Sequence, residues 1–299
     1  MAAYLPTPQQ LRYLVSLAET GHFSRAASSC AVSQSTLSAG ILALERGLDA
    51  QILDRSAPKH AVFTPLGQEL VEKAREALAA LALVAETADA ARAPMSGPLR
   101  LGLIPTIGPF LLPRLMPLLR AGFPGLKLYL REDQTERLTE QLEDGQLDLL
   151  ILAEPCVSGG AETLALLQDE FMAALPPNHP LAARATIAPA ALAAEHFLLL
   201  EDGHCLRDQV LSVCNTSTRE TRFAATSLHT LIQMVAGGLG VTLVPRLAIQ
   251  AGLAQGTGVE LRPLEGAGGW RTLSLAWRPG SARIAEYRAL APVITQACA

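Results

Sequence analysis

No apolar run in this chain approaches the roughly 20 residues needed to cross a bilayer, and the opening "MAAYLPTPQQ" lacks the basic stretch and apolar core of an export signal. A cytoplasmic protein without a membrane partner is expected. The five cysteines, Cys30, Cys156, Cys205, Cys214 and Cys298, form no C-x-x-C pair and no His/Cys cluster at zinc spacing. A disulfide scaffold and a resident metal are therefore not expected, and no cofactor motif is present. The odd count fits a reducing compartment, where a disulfide is transient. Aromatic residues are scarce at 4% and charged residues modest at 17%, but 49% hydrophobic content excludes a disordered or fibrous chain. Positive charge is in no excess either, and a net charge of -4 argues against a protein that coats nucleic acid indiscriminately.

What the chain does have is length. At 299 residues it exceeds the size at which one core stops growing, so two or more compact units are predicted. The first 60 or so residues read as short helices: "TPQQLRYLVSLAET" places Leu11, Leu14, Val15 and Leu17 at helical spacing, and "GHFSRAASSCAVSQSTLSAGILALERGL" supplies two more. Ser24 is predicted to cap the second helix, "AV" to make a tight turn, Ser33 to cap the third and Gly47 to end it. This is a helix-turn-helix pattern, followed by "DAQILDRSAPKHAVFTPLG" as a two-stranded wing with Arg55, Lys59 and His60 near its tip.

From an N-cap Thr64 and Pro65 to about Arg92, a stripe of Leu66, Leu70, Ala74, Leu78, Leu81 and Ala88 predicts one long helix. Its stripe fits either a second copy of itself or its own domain. "APMSGP" at 93 to 98 reads as a linker. Beyond it the strand-like runs "LRLGLIP", "LKLYLRE", "LDLLILA", "FMAALP", "HFLLLED", "VTLVP" and "LSLAWR" alternate with helical ones. That alternation predicts a mostly parallel sheet covered by helices, in one or two α/β units.

Two features carry chemistry. A helix entering the major groove needs short polar side chains at its start, and Ser33, Gln34, Ser35, Thr36 and Ser38 are of that type, with Gln34 able to pair bidentately with adenine. The surrounding charge is thin: within residues 1 to 64, five cations (Arg12, Arg25, Arg46, Arg55, Lys59) oppose four anions (Glu19, Glu45, Asp49, Asp54). The second feature is "LLLEDGHCLRDQVLSVCNTS", in which Cys205 stands at a strand-to-helix junction after Gly203 and His204, nine positions before Cys214. A helix N-terminus favours a thiolate, as would a protonated His204 or a folded-back Arg207. Local sequence leaves an inert buried cysteine equally open. Thr106 and Thr135 each follow a strand and open a helix, where α/β sheets collect ligands; each could also cap its helix.

"LAETGHFSRAASSCAVSQSTLS" with "LERGLDAQILDR" and "FTPLG" resembles the winged helix-turn-helix of LysR-type transcriptional regulators. "SGPLRLGLIPTIGPFLLP", "DQTERLTEQLEDGQLDLLILA", "LEDGHCLRDQ", "ATSLHTLIQMVAGGLGVTLVP" and "RPGS" resemble the peroxide-sensing OxyR branch. The chain departs from that pattern at Ser35, usually Pro, and at "GILA" (Gly40 to Ala43), usually Gln-Ile-Arg-Lys, which removes two basic groups.

The resemblance implies a multidomain α/β protein: a winged helix-turn-helix at 1–63, a linker and dimerisation helix at 64–93, and a regulatory domain at 94–299. The regulatory domain would hold two subdomains like periplasmic binding proteins, about 97–168 with 272–299, and about 169–271. It implies a non-enzymatic regulator of double-stranded promoter DNA, working as a homodimer or homotetramer with RNA polymerase and switched by hydrogen peroxide. Cys205 would be peroxidatic and Cys214 resolving, joined in a reversible disulfide. Thr106, Thr135, His204, Arg207 and Asp208 would bind or activate peroxide, and Ser33, Gln34, Ser35, Thr36, Ser38, Arg55 and Lys59 would contact DNA. Two alternatives remain: a LysR-type regulator answering a small organic effector, and a thiol peroxidase.

Overall fold

The computed structural model describes residues 4–54, 61–92, 94–154, 160–214, 224–266 and 269–298. Arg55, Lys59, His60 and Cys156 lie outside the described residues. The chain divides into two compact units, Met1–Glu86 with Glu143–Gly145, and Thr87–Leu142 with Gln146–Ala299.

The first unit holds α1 (Pro8–Thr20), α2 (Phe23–Ser29), α3 (Gln34–Leu48), a ribbon of β1 (Leu53–Asp54) and β2 (Val62–Phe63), and the start of α4 (Pro65–Arg92). Thr7 and Gln10 form a reciprocal capping box at the head of α1. Ser33 caps α3, its Oγ accepting from the Thr36 amide at 3.1 Å, and Ala31 makes the preceding turn at φ 53°. Two predicted signals are corrected. Ser24 lies inside α2, whose N-cap is His22 with no side-chain cap bond. Gly47 does not end α3: the stop is Asp49, in the left-handed region at φ 49°. Gly47 instead faces the Tyr4 ring, where a Cβ would come within 2.2 Å of a ring carbon.

Leu14, Leu17, Leu37, Ile41, Leu44 and Ile52 form this unit's core, all exposed by 2% or less. The stripe of α4 packs on its own unit over part of its length and is exposed over the rest. Val71 and Ala74 are buried in that core with Leu70 and Leu78 packed against it, whereas Leu66, Leu81 and Val84 remain 46%, 48% and 69% exposed.

The second unit runs β3 (Gly97–Leu103), α5 (Gly108–Gly122), β4 (Leu126–Glu132), α6 (Thr135–Glu143), β5 (Leu149–Glu154) and β6 (Glu162–Leu175). A short 3-10 turn (Pro180–Ala183) leads to α7 (Pro189–Ala193), β7 (Leu199–Leu200), α8 (Cys205–Val213), β8 (Ala224–Ala225), α9 (Leu228–Ala236), β9 (Thr242–Pro245), α10 (Arg246–Gln250), β10 (Glu260–Pro263), β11 (Trp270–Trp277) and α11 (Ile284–Cys298). The main sheet has the order β10-β6-β11-β5-β3-β4, with β9 also on β6.

This sheet is mixed rather than mostly parallel. Among its described residues only the β3–β4 and β3–β5 pairings are parallel, and β11 runs antiparallel to both β5 and β6. Strand β6 extends well upstream of the predicted "FMAALP". Its first part pairs with β11, and its last residues pair with β9 and β10. The chain thus passes along β6 from one half of the sheet to the other and returns along β11. The predicted strand "HFLLLED" shrinks to Leu199–Leu200, paired in parallel with β8. Covered on both faces, Leu149 to Ala153 of β5 are 0% exposed, which accounts for a continuous apolar run rather than an alternating one.

Candidate functional site

Three chain turns meet in one crevice: Ile104, Pro105 and Thr106 after β3, Gln134 and Thr135 at the head of α6, and Gly203, His204 and Cys205 at the head of α8. All three follow strand ends or open helices, so backbone N–H groups converge where an α/β sheet collects ligands. The crevice is closed in this conformation and too narrow for a water molecule. Gly203 makes the turn into α8 at φ 90°, as its position predicts, and a Cβ there would come within 2.7 Å of the Gln134 amide.

Cys205 is the first residue of α8 and 9% exposed; Cys214 ends the same helix and is 3% exposed. Neither thiol is in a disulfide. The helix is continuous from Cys205 to Val213, so nine positions separate the two cysteines by about 13.5 Å of rise, beyond the roughly 7 Å between Cα atoms that a disulfide allows. Burial pushes the Cys214 thiol up to about 11, which keeps it protonated and unreactive at neutral pH. Burial also holds His204 below the usual imidazole value, against the opposing pull of the Glu201 carboxylate. A neutral His204 can accept a proton, but it does not supply the positive charge that a protonated imidazole would.

Arg207 does fold back, but toward the preceding turn: its guanidinium donates to the Leu200 carbonyl at 2.9 Å and pairs with Asp202 at 3.0 Å. Asp208 is exposed in the first turn of α8. Neither Arg207 nor Asp208 lines the crevice.

The two threonines are not helix caps. Thr106 precedes Ile107, the N-cap of α5, and its buried Oγ1 accepts from Arg271 Nη1 at 2.8 Å, while its carbonyl accepts from Arg271 Nη2 at 3.1 Å. With Arg271 occupying that oxygen as a donor, the Thr106 hydroxyl proton is left to donate elsewhere. Arg271 itself is 0% exposed and paired across the β6–β11 ladder with Asp169, Nε to Oδ2 at 3.0 Å. Asp169 Oδ1 accepts from the Leu247 amide at 2.9 Å, so the pair is buried with its hydrogen bonds supplied. Thr135 Oγ1 is buried with no hydrogen-bond partner. An unmade bond of this kind costs about 1–3 kcal/mol, so this hydroxyl is a candidate to bond a ligand atom. Sequence reasoning missed Arg271, Asp169 and Gln134. The available signal was an arginine inside the apolar strand "WRTLSLAW", which demands a buried partner without saying which.

In the first unit Ser33, Gln34, Ser35, Thr36 and Ser38 are all exposed along the start of α3, with Leu37 buried behind them. Ser33 Oγ lies 2.9 Å from Ser35 Oγ and 2.7 Å from Thr36 Oγ1, a hydroxyl cluster on the N-terminal turn. Gly40 sits under the Tyr13 ring, which a Cβ would approach to 2.6 Å.

A winged helix-turn-helix followed by a two-lobed α/β unit defines a class of bacterial regulator. Residues 8–68 match the bacterial regulatory helix-turn-helix protein model of the lysR family, and residues 92–299 match the LysR substrate binding domain. The chain belongs to the LysR family of transcriptional regulators. Its relatives there include OxyR proteins. The chain is 44% identical over 288 residues, 96% of this chain and 94% of the other, to the DNA-binding transcriptional dual regulator OxyR of Escherichia coli K12. It is 40% identical over 291 residues to the hydrogen peroxide-inducible genes activator of Haemophilus influenzae, covering 96% and 95% of the two chains. Among solved structures it is similar to a full-length OxyR cysteine-to-aspartate variant from Pseudomonas aeruginosa, with TM-score 0.76, 37% identity and coverage of 96% and 94%. It is also similar to an H2O2-bound cysteine mutant of Corynebacterium glutamicum OxyR, with TM-score 0.66, 33% identity and coverage of 99% and 93%.

Proposed function

We propose that this chain is a hydrogen peroxide-sensing, DNA-binding transcriptional regulator switched by a reversible Cys205–Cys214 disulfide. The observation that carries the reading is the buried, unpartnered Thr135 hydroxyl on the wall that it shares with Cys205 and Thr106. The walls beside Cys205 leave no room for an organic effector, which occupies about 300 Å³ or more, and the similar Corynebacterium glutamicum OxyR structure is H2O2-bound. That favours peroxide over a small organic effector.

In the mechanism, Thr135 and Thr106 hydrogen-bond the peroxide and Cys205 attacks its nearer oxygen. The S–O bond forms as the O–O bond breaks, and the departing hydroxide takes up the thiol proton, so Cys205–SH and H2O2 give Cys205–SOH and water. Neutral His204 is placed beside the thiol to pass that proton, and Thr106, polarised by Arg271, donates to the departing oxygen. Arg207 shapes the turn into α8 through Leu200 and Asp202, and Asp208 belongs to the proposed peroxide-activating set. The segment then opens, and Cys205–SOH and Cys214–SH condense to the disulfide and water. The rearranged helix repacks the regulatory surface and changes how the DNA-binding units are spaced.

The division into a DNA-binding domain at 1–63, a linker helix at 64–93 and a two-subdomain regulatory domain at 94–299 belongs to this reading. So does a homodimer or homotetramer built on α4, which buries the exposed Leu81 and Val84 and docks the first turn of α3, with Arg55 and Lys59 of the wing, on a double-stranded operator. Weak local charge is offset by the multivalency of that assembly. The protein acts in the cytoplasm with RNA polymerase, as a regulator rather than a thiol peroxidase; sustained peroxide turnover with a thiol reductant would reverse that last assignment. Operator footprints of the wild type and a Cys205→Ser variant, before and after near-stoichiometric peroxide, test the whole reading. A footprint that shifts in the wild type alone supports it, and a wild-type footprint indifferent to peroxide overturns it.

A further inference from the structure

We propose that Gln209 is the positioning residue that sets how fast Cys214 resolves the oxidised Cys205, by latching α8 onto the end of β5. This rests on the redox reading above. Gln209 lies four positions after Cys205, one helical turn on and on the same face. Its Nε2 donates to the main-chain carbonyl of Glu154, the last residue of β5, at 2.9 Å. Glu154 is a fixed anchor, because its carboxylate accepts at 2.7 Å from Ser274 Oγ, on a residue that is 0% exposed in β11.

A second polar tie of α8 is of a different kind. Arg207 bonds Leu200 and Asp202, which belong to the turn leading into the same helix and can move with it. The Gln209–Glu154 bond instead spans 55 residues and joins α8 to another strand, so the helix cannot unwind toward Cys214 without breaking it.

The latch is also half satisfied. Gln209 Oε1 is buried with no partner, so docking gains one hydrogen bond while leaving one acceptor dry. On release both ends of the amide return to water. A fully paired amide would hold the reduced helix too firmly, and no amide would hold it by packing alone. Gln209 touches neither sulfur in the reaction: Cys205–SOH and HS–Cys214 still give the S–S bond and water, and only access between them changes.

The test uses the full-length protein as wild type, Gln209→Glu and Gln209→Lys. Each is pulsed with near-stoichiometric hydrogen peroxide and quenched at intervals, and Cys205 sulfenate (trapped with dimedone) and Cys205–Cys214 disulfide are counted by mass spectrometry. Sulfenate formation is timed separately in a Cys214→Ser background. The carboxylate introduced by Gln209→Glu has no donor and repels the carbonyl, so condensation should run about fivefold faster, the equivalent of one ordinary hydrogen bond. The ammonium introduced by Gln209→Lys keeps a donor able to reach the same carbonyl, and that variant should condense at or below the wild-type rate. A residue that merely filled space would be disturbed alike by both changes. Equal condensation rates in all three proteins, or acceleration by both substitutions, would overturn the latch. A wild type that forms no Cys205–Cys214 disulfide would sink the redox reading and the latch with it.

Discussion

Replacing Thr135 with Val should make the reduced protein more stable and its thiol slower. Thr135 Oγ1 is buried without a partner, and valine keeps the branched shape while putting a methyl where the dry hydroxyl stands. Removing an unmet hydroxyl relieves about 1–3 kcal/mol. For a region of this size that corresponds to roughly 2–12 °C in the midpoint of thermal unfolding. The same change removes one preorganised donor from the peroxide, a loss of about 100- to 1000-fold in the rate of Cys205 oxidation. Thr135→Ser, which keeps the hydroxyl, should retain most of that rate. Calorimetry of the reduced protein and stopped-flow oxidation in a Cys214→Ser background read the two effects separately. A Val variant that is less stable than wild type, or that oxidises at the wild-type rate, would refute the assignment of this hydroxyl to the ligand.

Leu81→Asp should dissociate the assembly seen by light scattering, because Leu81 is 48% exposed on α4 and a partner helix would have to bury the new charge. Leu70→Asp should instead unfold the first unit, since Leu70 packs against its core; unchanged oligomers in Leu81→Asp would place the interface elsewhere. Gln34→Ala should weaken specific operator binding by about 1–3 kcal/mol, read by fluorescence anisotropy, with folding unaltered. Equal operator and random-DNA affinities in wild type and variant would contradict it. His204 is held below the usual imidazole value by burial, so the stability it contributes is complete above the unfolded value near 6.5 and is lost as pH falls through the lower folded value. Chemical denaturation from pH 8 to 5 should show that slope, and His204→Asn should flatten it.

Local signals in the sequence carried far. Ser33 before α3, Thr64 before α4 with Pro65 as its first residue, and Gly203 before α8 each act within a turn of chain, so each can be read from neighbours alone. The reading failed where the outcome depended on partners distant in sequence. The parallel sense of the sheet could not be read because alternation gives the order of strands and helices, whereas the direction of β11 against β5 and β6 is fixed by where the chain returns. Gly47 looked like a helix stop, yet the Tyr4 ring needs its missing side chain and Asp49 takes the left-handed position. The candidate site was legible in the same uneven way. Cys205, Thr106 and Thr135 could be placed by their strand-end positions. Arg271 and Asp169 are 102 residues apart, and nothing local to either announces a buried pair that also holds Thr106.

Peptide mapping after a near-stoichiometric peroxide pulse tests the central claim most directly. Mass spectrometry should find Cys205 passing through sulfenic acid into a dominant Cys205–Cys214 disulfide, and Cys214→Ser should leave the sulfenate to over-oxidise. An unmodified Cys205, or a dominant disulfide through Cys30, Cys156 or Cys298, would contradict the account.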